Sequence, residues 1–163
     1  MLERICSGGQ SGVDTGALLA AYALDIPTSG WAPEGWLTEA GPEEEFMRAM
    51  GLTECTRAGY AARTELNVKQ SDGTLIVSDS PQLTGGTYDT LCCAESLDKP
   101  VYQVWITGDG RAVRYQLKSG SRVSLMAWLR LMDIQVLNVA GPRASKWPQG
   151  CRLTCEYLME ALG

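Results

Sequence analysis

Apolar positions along the chain change period several times, and each change marks an element. Arg4-Ile5-Cys6 is a short apolar run followed by glycine-rich sequence, and Val13, Ala17, Leu18, Ala21 and Leu24 then recur at helical spacing until Pro27. Thr28 to Trp31 has room only for a short second strand before the Pro/Gly stretch Ala32-Pro33-Glu34-Gly35-Trp36. Leu37 to Thr56 predicts a surface loop and one short helix, with Glu43-Glu44-Glu45 as a solvated first turn favoured by the helix dipole. Tyr60 to Gln70 is helix-forming and ends at Ser71-Asp72-Gly73. Thr74-Leu75-Ile76-Val77-Ser78 is an unbroken β-rich run of the kind covered on both faces in a parallel sheet, and it reads as the central strand.

Leu83-Thr84-Gly85-Gly86-Thr87 follows, then a helix over Tyr88 to Leu97, so the opening strand-loop-helix pattern repeats. Val101 to Ile106 predicts another strand, and Arg111 to Lys118 alternates as an edge strand does. Ser119 or Ser121 is placed to cap a helix from about Arg122 to Met132. Ile134 to Val139 is the last strand, and a helix from about Gln149 to Leu162 ends the pattern. Alternating strands and helices predict an α/β fold, a three-layer sandwich with a mainly parallel sheet, spanning 1–163 as a single domain.

Composition adds limits. With 163 residues, 45% apolar and 20% charged, the chain can bury a full core; its 18 glycines against one phenylalanine call for a local explanation. A net charge of −5, with scattered basic residues, argues against a nucleic-acid partner. The absence of histidine and of any C-x-x-C pair among the six cysteines argues against a metal site, and leaves buried free thiols as the simplest reading. No targeting sequence or membrane span is visible, which makes the cytoplasm the expected compartment.

The glycines gather where ligands bind. Four loops follow predicted strands: Gly8–Asp14, Ala32–Trp36, Thr84–Thr87 and Gly141–Lys146. All are rich in Gly, Pro, Ser or Thr, and in an open parallel sheet they share the C-terminal end at which ligands are held. The first loop, Gly8-Gly9-Gln10-Ser11-Gly12, leads into a helix N-terminus suited to an anion. Ser7 stands where a dinucleotide fingerprint has its first glycine, and no acid follows the second strand, so NAD is disfavoured. Arg143 and Lys146 can supply charge to a phosphate or remain solvated. Asp14 can bind a ligand hydroxyl, act as a general base, or only favour the helix dipole. Arg63 and Asn67 share a helix face at i and i+4, whose direction spacing does not settle. Trp31 and Trp36 can stack on a planar ring or serve the core, and Asp72 is a turn residue at the far end of its strand.

Taken in order, Ser7-Gly8-Gly9-Gln10-Ser11-Gly12-Val13-Asp14, Gly30-Trp31-Ala32-Pro33-Glu34-Gly35, Tyr60 to Val68, Ser71-Asp72-Gly73-Thr74-Leu75-Ile76, Leu83-Thr84-Gly85-Gly86-Thr87 and Leu137 to Arg143 resemble the family of molybdenum cofactor carrier proteins. That family is part of the Rossmann-like superfamily that includes the lysine-decarboxylase-like "lonely guy" phosphoribohydrolases and DNA-processing A-type proteins. The resemblance implies a Rossmann-like, homo-oligomeric protein whose loops hold a small phosphorylated ligand, molybdenum cofactor or a nucleotide. The site it implies comprises Gly8, Gly9, Gln10, Ser11, Gly12, Pro33, Gly35, Arg63, Asn67, Thr84, Gly85, Gly86, Thr87, Gly141, Arg143 and Lys146. A nucleotide-processing hydrolase, with Asp14 or Glu65 as acid/base, is the alternative. Against it, the phosphoribohydrolase motif P-G-G-x-G-T-x-x-E is shortened here by two loop residues, with Thr90 at the Glu position.

Overall fold

The computed structural model describes residues 1–57, 59–114 and 122–163. In chain order the elements are β1 (Arg4–Ser7), α1 (Val13–Ala23), β2 (Thr28–Ala32), a 3₁₀ turn (Glu34–Trp36), β3 (Leu37–Thr38), β4 (Gly41–Pro42), α2 (Glu44–Ala49) and β5 (Leu52–Glu54). Then follow α3 (Tyr60–Lys69), β6 (Gly73–Ser78), α4 (Gly85–Ser96), β7 (Val101–Ile106), β8 (Ala112–Arg114), α5 (Leu125–Leu131), β9 (Val136–Ala140) and α6 (Gly150–Leu162).

Seven strands form one sheet in the order β5-β2-β1-β9-β6-β7-β8, parallel except for β8 at the edge. β9, not β6, lies in the middle, pairing with β1 (Ile5 opposite Leu137) on one side and with β6 (Thr74 opposite Asn138) on the other. β6 is nevertheless buried along its whole length, as its unbroken apolar run requires. Asp72 Oδ2 accepts from the N–H groups of Gln135 (3.0 Å) and Val136 (2.7 Å), so this turn residue fastens the start of β9 beside β6.

Alternation along the strands assigns side chains to two layers. Ile5, Leu75, Val77, Leu137 and Val139 join α1, α5 and α6 in the main core around the fully buried Trp128. Residues such as Cys6 and Ile76 face the opposite side, where α3 and α4 lie against each other and the sheet. A smaller cluster of Leu18, Ala32, Trp36, Met47 and Leu52 seats α2 and β5 beside β2. The segment 37–56 therefore contains a third parallel strand and the small β3–β4 hairpin in addition to the expected helix. These short strands carry too few residues to show a period.

Other boundaries differ for local reasons. Ser124 caps α5, its Oγ accepting from the Ala127 N–H (3.2 Å); Ser119 and Ser121 lie outside the described residues, as do Tyr115 to Lys118 of the expected edge strand. Gly85, Gly86 and Thr87 belong to the first turn of α4 and not to a preceding loop. All six cysteines are free, but only Cys6 and Cys55 are buried, and Cys92 is exposed.

Candidate functional site

A cleft of about 1060 Å³ opens at the C-terminal ends of β1, β9 and β6 and runs on between α3 and α4. It lies where strand order reverses, β2 continuing from β1 to one side and β7 from β6 to the other. Of the expected residues, Gly8, Gln10, Arg63, Asn67, Thr84, Gly85, Gly86, Thr87, Gly141, Arg143 and Lys146 line it, and so does Asp14. The loop after β2 stands apart. Pro33 borders an adjoining pocket of about 150 Å³, with Tyr60 and Arg63 as the shared wall, whereas Gly35 borders neither. Trp36 is buried in the smaller core, and neither it nor Trp31 lines the cleft.

Close backbone approach explains several glycines of the loops. A Cβ on Gly12, whose φ is +86°, would meet the Pro142 carbonyl at 2.6 Å; one on Gly141 would meet the Val77 carbonyl at 2.2 Å. The loops after β1 and β9 are thus packed main chain against main chain, and the latter also lies against the end of β6. Gly9 abuts Met47 and Leu52 and serves that packing instead of lining the cleft.

The α1 loop uses its own donors. Gly9 N–H donates to Ser7 Oγ, Gln10 N–H to Asp14 Oδ2 (3.1 Å), Ser11 N–H to Gln10 Oε1 (2.9 Å), and Val13 N–H to the Pro142 carbonyl (3.3 Å). Asp14 occupies the position an external anion would take. Burial pushes its carboxyl up to about 6, against the opposing pull of Arg63 and of the Gln10 N–H. Arg63 Nη1 lies 3.8 Å from Asp14 Oδ2 and donates to the Gly8 carbonyl at 3.0 Å. Gly8 leaves room for that guanidinium, since a Cβ there would lie 2.5 Å from Nη1.

Asn67 is equally committed. Its Oδ1 accepts from the Trp31 N–H (2.8 Å) and from the Cys6 thiol (3.3 Å), while Nδ2 donates to the Trp31 carbonyl (3.1 Å). The side chain pairs with β2 as a neighbouring strand would, so it shapes the cleft wall with both lone pairs of its oxygen and one of its two N–H donors already engaged.

At the α4 end the arrangement is different. Thr84 precedes the helix without a capping side-chain hydrogen bond, and Gly85, Gly86 and Thr87 form the first turn on the cleft. A Cβ on Gly86 would meet nothing within 4 Å, and one on Gly85 would lie 3.6 Å from Lys146 Nζ. Lys146 has no ion-pair or hydrogen-bond partner for its ammonium among the described residues. Arg143, by contrast, is paired with Glu39, Nε to Oε2 at 3.5 Å. A helix N-terminus and an ammonium without a partner among the described residues therefore lie close together in the cleft, an arrangement of positive charge that favours an anion.

Some lining residues carry no mark in a pass for loops and glycines. Asn138 is buried on β9 and donates to Thr74 Oγ1 at 3.3 Å, and Ser78 ends β6. A polar side chain in a strand covered on both faces is the sign that could have found them. Asp79 and Asp89 also line the cleft. Glu65, the other acid considered, is held ionised below its ordinary range by Lys69.

The sheet order, with the cleft at its reversal point, defines a Rossmann-like α/β sandwich. Residues 5–162 match the model of the circularly permutated YpsA SLOG family, and the chain belongs to that family. It is also similar to the crystal structure of a protein from Syntrophus aciditrophicus described as a "putative molybdenum carrier protein", with 38% identity and a TM-score of 0.79 over 99% of this chain and 96% of the other. That similarity bears out the family expected from the motifs. No curated protein matches the chain. No helix among the described residues is long and apolar enough to cross a membrane.

Proposed function

We propose that the protein is a binding or carrier protein for a small phosphorylated heterocycle, a pterin phosphate such as molybdenum cofactor or a nucleotide. The observation that carries this reading is the uncapped first turn of α4 beside the unpaired ammonium of Lys146. The phosphate sits there, and the ring extends into the groove between α3 and α4, along Thr64, Leu83 and Cys93. At about 1060 Å³ the cleft has the size needed for a ligand of this class. No group of three potential metal ligands is found among the described residues, so molybdenum would travel already bound to its pterin as cargo. Free thiols at all six cysteines suit a reducing compartment such as the cytoplasm.

Titration calorimetry with inorganic phosphate and with a nucleoside monophosphate tests the reading. Lys146→Ala is expected to weaken both by about 1.5–3 kcal/mol, the loss of a charge-assisted hydrogen bond. Arg143→Ala has a smaller effect, because its guanidinium is already engaged by Glu39. Unchanged affinity in Lys146→Ala would remove the α4 end from the site.

Asp14 supports a second reading. A carboxyl held near 6 beside a cleft is a candidate general acid or base for a nucleotide-processing hydrolase. Release of free base from a nucleoside monophosphate by the wild type, abolished in Asp14→Asn, would establish turnover over carriage alone.

A further inference from the structure

Glu39 lies at the tip of the β3–β4 hairpin, far in sequence from the loops it touches. Its Oε1 accepts from Ser11 Oγ (2.7 Å) and from the Ser145 N–H (3.1 Å), and its Oε2 faces Arg143 Nε at 3.5 Å. The Glu39 N–H donates to Gln10 Oε1 at 3.1 Å, which seats the hairpin tip on the loop after β1. A hydroxyl, a backbone N–H and a guanidinium converging on one pair of oxygens are the donor set of an anion site. In this protein a carboxylate of its own chain fills it.

That donor set reaches the cleft through Arg143, while Glu39, Ser11 and Ser145 stand outside its lining. Arg143 and Lys146 belong to one turn, the Lys146 N–H donating to the Arg143 carbonyl at 3.0 Å, and both side chains line the cleft. A ligand phosphate beside Lys146 therefore has a second cationic position next to it, on the same turn, which Glu39 already neutralises. We infer that Ser11, Ser145 and Arg143 form a second anion subsite that Glu39 occupies as an internal counter-ion, so that the cleft selects ligands bearing a single phosphate and rejects diphosphates. The inference rests on the reading that the α4 end receives the first phosphate.

Two forces make the rejection. A second phosphate brought to Arg143 meets the charge of Glu39, and like charges at close range destabilise the complex. Displacing Glu39 instead breaks its bonds to Ser11 and Ser145 and lifts the hairpin from Gln10. Glu39→Gln keeps the shape of the side chain and removes the charge.

Inorganic phosphate and pyrophosphate are the probes, titrated by calorimetry into wild type, Glu39→Gln and Glu39→Ala. The expected result is a rise of tenfold or more in pyrophosphate affinity in both variants, with phosphate affinity within threefold of wild type. Hydrogen exchange at residues 38–42 reads the same event in the wild-type protein: saturating pyrophosphate speeds it and phosphate leaves it unchanged. Equal changes for the two probes, no change, or a loss of affinity for both would overturn the inference, the loss making Glu39 a residue that orients Arg143 for binding. Lys146→Ala separates this from the reading on which it rests. If that variant binds phosphate as the wild type does, the α4 reading fails, whereas the phosphate-to-pyrophosphate ratio in the Glu39 variants still decides the role of Glu39.

Discussion

Asp14 and Glu39 are carboxylates at the same end of the sheet, and their surroundings move them in opposite directions. Asp14 is buried, with one N–H and a guanidinium 3.8 Å away, too little to offset its desolvation, and it is held up to about 6. Glu39 remains near solvent and accepts from Ser145 and Ser11, with Arg143 alongside, which brings it down to about 2. For Asp14 the native state keeps a proton that the unfolded chain releases near pH 4, so its contribution to stability is present below about pH 4 and is lost as pH rises through about 6. The full difference of about two pKa units corresponds to roughly 3 kcal/mol. Urea unfolding should therefore show Asp14→Asn gaining stability relative to wild type between pH 4 and pH 7. A constant difference would mean that Asp14 titrates normally. Glu39 acts the other way, its contribution being present above about pH 4.5 and lost as pH falls toward about 2. The sequence singles out Asp14 as a residue of interest but not its protonation, which depends on Arg63, brought from 49 positions away by the fold. Glu39 stands in no motif at all. Its importance arises from a hairpin too short to show a pattern, meeting two loops that are distant along the chain.

Among elements, α1 and α6 pack with backbone close against backbone. A Cβ on Gly16 would lie 2.3 Å from the Cys151 carbonyl, a backbone atom that cannot rotate away. Gly16→Ala must therefore separate the two helices, at a cost of about 1–3 kcal/mol. Thermal unfolding would show the loss, and α1 carries it to the cleft through Asp14, so weaker phosphate binding should accompany it. A stability equal to wild type would mean that the helices can part freely. The strand-loop-helix units were legible, because hydrophobic period and glycine placement report on each unit separately. What those units do with their polar groups was not. Asn67 matches a family motif and invites a ligand-binding role, yet its amide completes the backbone pairing of Trp31. The glycine loop before α1 likewise has a ready internal partner in Asp14, whereas no side chain among the described residues caps α4.

For the whole molecule, a ligand bound across loops from both halves of the sheet must link its occupancy to global stability. A phosphorylated ligand at a hundred times its Kd should add about 2.7 kcal/mol, which for a domain of this size raises Tm by several degrees. A differential scan with a panel of nucleoside monophosphates and pterin phosphates would rank the ligands, and a flat panel would count against the proposed class. The parallel α/β sandwich was also legible in the alternation of elements, while the strand order was not, since nothing in the run Val136–Ala140 distinguishes a middle strand from any other buried one.

The position of β9 has a consequence for how this molecule is made. Its two neighbours, β1 and β6, leave the ribosome long before it does, and until Val136–Ala140 emerges each presents an unpaired edge. Such edges invite pairing with other chains. The sheet cannot be completed progressively from its N-terminal end; two partial sheets must wait for one late strand that joins them, in pairings with partners about 130 and 60 residues upstream, a slow kind of closure. A chaperone that shields nascent chains would find its longest engagement here in the interval between synthesis of β6 and synthesis of β9, and a stalled or truncated chain ending in that interval would aggregate by its open edges.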